Sequence, residues 1–106
     1  KKFLPSSYGT LMSANDAQFL THLMSQVVEI GTGSAMRGAS YTVAGKTGSA
    51  EFEAGKETHS WFVGFAPADK PRVAICVLAE ESGSGGAVAA PIARQVLDRY
   101  FAKYGQ

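Results

Sequence analysis

A chain of 106 residues, 45% hydrophobic and 18% charged, suits one globular domain with a modest core. Ten basic against nine acidic residues leave a formal charge of +1 with no local concentration of Lys or Arg, which excludes an electrostatic footprint for nucleic acid or anionic lipid. The longest apolar run, Val73–Ala79, is far short of the roughly 18 residues of a membrane span, and the opening Lys1-Lys2-Phe3-Leu4-Pro5 lacks a signal-peptide core, so any anchoring segment is expected outside this chain.

Taken in order, residues 15–30 carry Phe19, Leu20, Leu23, Met24, Val27, Val28 and Ile30 at helical spacing. Asn15 or Asp16 is the expected cap, with Ser13-Ala14-Asn15 read as capping sequence, and Gly31 and Gly33 stop the helix. Residues 40–52 turn strand-like, rich in Tyr, Thr, Val and Ala, although Gly45 and Gly48 interrupt them. After a turn at 53–57, His59–Ala66 is aromatic and β-branched enough for a second strand, closed by Pro67, Asp69 and Pro71. Residues 72–79 form a third, apolar at consecutive positions and so expected to be covered on both faces, with the lone Cys76 as a small core residue. One cysteine allows neither an internal disulfide nor a Cys-based metal site. Residues 81–86 are a loop, and 88–104 a helix with Ile92, Val96, Leu97, Tyr100 and Phe101 on one stripe and Pro91 in its first turn. Short connections between the strands predict an antiparallel meander with the Trp61 strand in the middle.

The chemistry concentrates in Val43-Ala44-Gly45-Lys46-Thr47-Gly48-Ser49. A phosphate-binding loop would need a glycine at position 40 and a helix after Thr47; Ser40 and a strand stand there instead. A strand bearing K-T-G suits acyl transfer better. A Lys ammonium and hydroxyl donors hold a substrate carboxylate by charge-assisted hydrogen bonds, glycine admits close approach, and a strand N–H can serve an oxyanion.

Other residue patterns have plainer readings. His59, Ser60 and Asp69 do not make a relay, because adjacent strand residues point to opposite faces. Trp61, Phe62 and Phe65 are expected in the core. Glu51, Glu53, Glu57, Glu80 and Glu81 are expected to be solvated, and Arg94 and Arg99 to lie on the exposed side of the last helix.

The run from Val43 through Glu51, then Ser60-Trp61-Phe62-Val63-Gly64-Phe65-Ala66-Pro67 and Ala89-Ala90-Pro91-Ile92-Ala93-Arg94, closely resembles the C-terminal part of the transpeptidase domain of class B penicillin-binding proteins. Val27-Val28-Glu29-Ile30-Gly31-Thr32-Gly33 resembles the segment before the Lys motif in that family. The resemblance implies an α+β fold, an antiparallel sheet packed between helices, with residues 1–106 as the C-terminal portion of one transpeptidase domain. It implies a D,D-transpeptidase acting on peptidoglycan stem peptides and β-lactams outside the cytoplasmic membrane, with no cofactor and no metal. Lys46 would position protons and the substrate carboxylate, Thr47 and Ser49 would offer hydroxyls to that carboxylate, Gly48 would leave room for the peptide, and the Ser49 backbone N–H would be one oxyanion donor.

The family's serine nucleophile is expected elsewhere. No S-x-x-K occurs, since Val43, Glu53, Pro67 and Tyr100 stand three residues before Lys46, Lys56, Lys70 and Lys103. The chain alone is therefore expected to be inactive. The apolar third strand is expected to pair with an upstream portion of the same domain or with a second copy of the chain. A β-lactamase or β-lactam sensor, or a non-catalytic module that keeps the fold, are the alternative readings.

Overall fold

Ser13 starts the first helix. Its Oγ accepts the Asp16 N–H at 3.1 Å, so the cap lies before Asn15 and Asp16, and Asp16 instead puts a carboxylate in the first turn at the positive end of the helix. The computed structural model describes residues 3–105; Lys1 and Lys2, with which the sequence opens, lie outside them. Helix α1 spans Ala14–Ile30, and both Gly31 and Gly33 donate their N–H to Val27 O, at 3.1 and 3.0 Å, which turns the chain off the helix axis.

Three strands follow, β1 (Ala44–Ala50), β2 (His59–Ala66) and β3 (Val73–Ala79), antiparallel throughout in the order β1-β2-β3. The expected meander, with the Trp61 strand central, is the one observed. A wide turn at Gly85–Ala89 leads into α2 (Ala90–Tyr104), with Pro91 in the first turn where its missing N–H costs nothing. Strand β1 is shorter than the run 40–52, because Tyr41 and Val43 leave the ladder to pack in the core.

The register sorts the side chains onto two unequal faces. Thr47, Phe62 and Val77 lie side by side on the face covered by α2, where Phe62 and Ala66 meet Ala93, Leu97 and Phe101. The buried stripe of α2 is Ala90, Ala93, Leu97 and Phe101, not the larger set containing Ile92 and Val96, which are 41% and 51% exposed. Small alanines sit beside Leu97 and Phe101 where helix and sheet meet, and the β-branched Ile92 and Val96 are turned outward.

The opposite face carries Lys46, Val63 and Cys76 in register and is largely open. Strand β3 therefore alternates half-buried with exposed instead of being covered on both faces, and Cys76 is an exposed free thiol rather than a core residue. Of the three aromatics expected in the core, only Phe62 is fully buried; Trp61 and Phe65 project from the open side and are half-buried. Helix α1 packs along β1 and buries only Val28 completely. The result is an α+β layer with one finished side.

Candidate active site

The K-T-G segment occupies the outer strand of the sheet. Period-two alternation sends Lys46 and Gly48 to the open face, and Thr47 and Ser49 toward the α2 face. The side chains nonetheless converge on one groove of ≈ 530 Å³, because Thr32 approaches from the turn after α1 and Gly85 and Gly86 approach from the turn before α2.

Each wall has an identifiable cause. Ser60, fully buried on β2, donates its hydroxyl to Ser84 O at 2.7 Å and accepts the Ala89 N–H at 2.9 Å, which ties both ends of the glycine-rich turn to the middle strand. That pull lays Gly85 flat on the β1–β2 ladder. A Cβ at Gly85 would come within 2.4 Å of Trp61 O and 2.5 Å of Gly48 O, so only glycine fits there. The Gly85 N–H then donates to Ser49 Oγ at 3.1 Å. On the other wall, Thr32 Oγ1 and Thr47 Oγ1 are hydrogen-bonded at 2.5 Å.

Lys46 is exposed and its Nζ donates to Thr47 O at 2.6 Å, which leaves two ammonium protons unassigned. Thr47 is 8% exposed, its hydroxyl engaged with Thr32, whereas Ser49 is exposed and its hydroxyl, having accepted from Gly85, keeps a proton to donate. The groove is lined by one ammonium, the hydroxyls of Thr32, Ser34, Thr47, Ser49 and Ser84, and no carboxylate. Such a lining suits an anion. A second cavity of ≈ 540 Å³ between α1 and the β2–β3 turn includes Phe65, Ala68 and Pro71, with Asp69 its only charged side chain. It has room but few donors.

Residues 5–98 match the family of the penicillin-binding protein transpeptidase domain. The chain belongs to that family. The peptidoglycan D,D-transpeptidase MrdA of Acinetobacter baumannii is 42% identical over 89 residues, which cover 71% of this chain and 13% of that protein. The D,D-transpeptidase domain of a peptidoglycan glycosyltransferase from Eggerthella lenta superimposes with a TM-score of 0.78 at 35% identity, over 97% of this chain and 24% of that one. Penicillin-binding protein A from M. tuberculosis, solved as a ceftriaxone acyl-enzyme complex, superimposes with a TM-score of 0.70 at 37% identity, over 79% of this chain and 20% of that one. The chain thus spans about an eighth of the curated transpeptidase's length and about a quarter or less of these solved transpeptidase chains.

Within this transpeptidase fold the four residues expected from the sequence, Lys46, Thr47, Gly48 and Ser49, all line the groove. The expected set omitted Thr32, Ser84, Gly85 and Gly86, which line it too. Their signals, Gly31-Thr32-Gly33 and the run from Gly83 to Gly86, read as a helix stop and a loop until the close contacts at Gly85 give the glycines a reason. His59 and Ser60 point apart as expected: His59 Nδ1 accepts the Glu81 N–H at 3.0 Å and its ring stacks on Phe52, while Ser60 faces the core. Arg94 does more than decorate α2. It pairs with Asp98 at 3.1 Å and donates to Ala35 O and Arg37 O at 3.2 and 2.9 Å, bracing the turn that presents Thr32.

Proposed function

We propose that this chain forms the carboxylate-holding wall of a D,D-transpeptidase site that cross-links peptidoglycan stem peptides through an acyl-enzyme and is acylated by β-lactams. The observation that carries the reading is the groove in which the Lys46 ammonium and five hydroxyls converge without a carboxylate. A stem peptide ending in D-alanine, or a β-lactam, brings a carboxylate beside the carbonyl under attack. Lys46 and the hydroxyls of Thr47 and Ser49 hold that carboxylate by charge-assisted hydrogen bonds. Gly48 leaves space for the peptide backbone.

The nucleophile belongs to an S-x-x-K segment outside the 106 residues, since the motif does not occur in them. Its serine Oγ attacks the carbonyl, the proton passes to the neighbouring lysine, and negative charge builds on the carbonyl oxygen. The Ser49 N–H meets that oxygen, a contact worth about 2.7–4 kcal/mol in acyl-transfer enzymes. The C–N bond then breaks and the terminal D-alanine leaves with a proton; the amine of a second stem peptide next attacks the acyl carbon and gives up a proton as the serine Oγ–acyl bond breaks and the serine hydroxyl is restored. With a β-lactam the leaving nitrogen stays tethered. The site works on the outer side of the cytoplasmic membrane, held there by a segment beyond this chain.

The test has two parts. The 106 residues alone, incubated with a labelled penicillin, should show no covalent mass shift, and a complete domain carrying S-x-x-K should be labelled stoichiometrically. Lys46→Ala in the complete domain should slow acylation about a hundredfold, roughly 2.7 kcal/mol of transition-state stabilisation, with circular dichroism unchanged. A labelled 106-residue chain, or an acylation rate indifferent to Lys46, overturns the reading.

A further inference from the structure

Thr32 is exposed, and it touches both walls of the groove. Its Oγ1 lies 2.5 Å from Thr47 Oγ1 on the K-T-G strand, while its carbonyl oxygen is 2.5 Å from the place a Cβ of Gly86 would occupy. Bonds that involve neither neighbour also hold its turn in place. The turn around it is closed at the front by the Gly31 and Gly33 N–H groups on Val27 O, and braced behind by Arg94 on Ala35 O and Arg37 O and by Arg37 Nη1 on Glu29 O at 2.9 Å.

Thr47 is the opposite case. The residue is 8% exposed, and among the described residues the side-chain partner of its hydroxyl is Thr32. A pair of hydroxyls consumes one proton between the two oxygens and leaves one to donate elsewhere. A carboxylate only accepts. For Thr47 to donate to it, Thr32 must donate to Thr47, and the chain of two hydroxyls then polarises in one direction, toward the anion.

We propose that Thr32 is a positioning residue of this site: its hydroxyl donates to Thr47 Oγ1 and thereby aims the Thr47 proton at the ligand's carboxylate. The assignment rests on the K-T-G reading above and adds to it a residue outside the motif, acting through Thr47 rather than on the reacting carbonyl. It also assigns the effect to one end of the ligand.

The experiment measures the second-order rate of acylation of the complete transpeptidase domain by a fluorescent penicillin and by its methyl ester, which lacks the carboxylate. Thr32→Val should lower the rate for the free acid about tenfold, the upper size of one lost hydrogen bond between neutral groups. Thr32→Ser should restore it to within about twofold. Thr47→Val should match Thr32→Val, and the double variant should be no slower than either, because the two hydroxyls act as one unit. Toward the ester, Thr32→Val should react like the wild type. A Thr32→Val rate equal to wild type on the free acid, multiplicative losses in the double variant, or equal slowing of the ester each overturn the proposal. Thr47→Val reports on the same pair from the strand side should Thr32→Val fail to fold. Lys46→Ala separates the two levels: if it slows acylation while Thr32→Val does not, only the role of Thr32 fails, and if neither slows it, the K-T-G reading fails first.

Discussion

Gly48 and Gly85 lie on opposite sides of one strand pair and tolerate substitution differently. A Cβ at Gly48 would meet only Trp61 Cβ at 3.6 Å, an ordinary contact on the open face. A Cβ at Gly85 would press on backbone atoms of Trp61 and Gly48 at 2.4 to 2.7 Å, and neither strand can give way without breaking its ladder. Gly85→Ala should therefore destabilise the chain by about 1–3 kcal/mol, the usual range for overpacking, whereas Gly48→Ala should leave its urea midpoint nearly unchanged. Equal midpoints for the two variants would show that the Gly85 turn does not rest on the sheet. The contrast also makes Gly48→Ala a clean probe of ligand fit, since any acylation defect in a complete domain would come without a folding defect.

At the scale of elements, one polar junction joins the segment before β1 to α2. Tyr41 is buried, its ring stacked on Phe101 at 4.5 Å between centroids, and its hydroxyl donates to Asp98 Oδ1 at 2.5 Å beside Arg94. Burial raises the Tyr41 pKa, and the hydrogen bond to Asp98 and that carboxylate's charge raise it further, against a smaller opposing effect of Arg94. Because the folded-state value lies above that of the unfolded chain, near 10, the stabilisation is fully present below about pH 10 and is lost as pH rises toward the folded-state value. Tyr41→Phe should cost about 1–2 kcal/mol at pH 8, allowing for an Asp98 that keeps Arg94. In urea titrations its deficit relative to wild type should shrink at pH 11. A deficit constant from pH 8 to 11 would assign the stabilisation to ring packing alone.

The whole molecule is more open than its length requires. Its radius of gyration is 14.8 Å, against about 13 Å for a compact chain of this size. The sheet is covered by α2 on one side only, Val63 and Leu78 are 41% and 44% exposed on the other, and α1 shows Phe19, Leu20 and Leu23 to solvent. The outer edge of β3 has no strand beside it among the described residues. An apolar strand with a free edge invites pairing with another segment or another copy. The isolated chain should self-associate at micromolar concentration in sedimentation velocity, and Cys76→Lys, which puts a charge on the exposed face of β3, should shift it toward monomer. A wild-type chain that stays monomeric at hundreds of micromolar would show that this edge is adequately protected as it stands.

What could be read from the sequence was local. Helical spacing placed α1 and most of α2, short connections dictated the antiparallel order, and residue type on a strand singled out Lys46-Thr47-Gly48-Ser49, which line one groove, since these follow from bonding along the chain or between neighbours. Tertiary packing alone decided which side of a strand would be wet. Consecutive apolar residues in β3 have the same sequence appearance whether one face or two are covered, so Cys76 and Leu78 were misplaced until the register put them opposite α2. The far walls of the groove were likewise hidden, because Thr32 and Gly85 reach β1, and Gly86 reaches Thr32, across separations that no periodicity encodes. Ser60 draws the glycine turn onto the sheet and Arg94 braces the turn of Thr32, and each acts only once the chain has closed on itself.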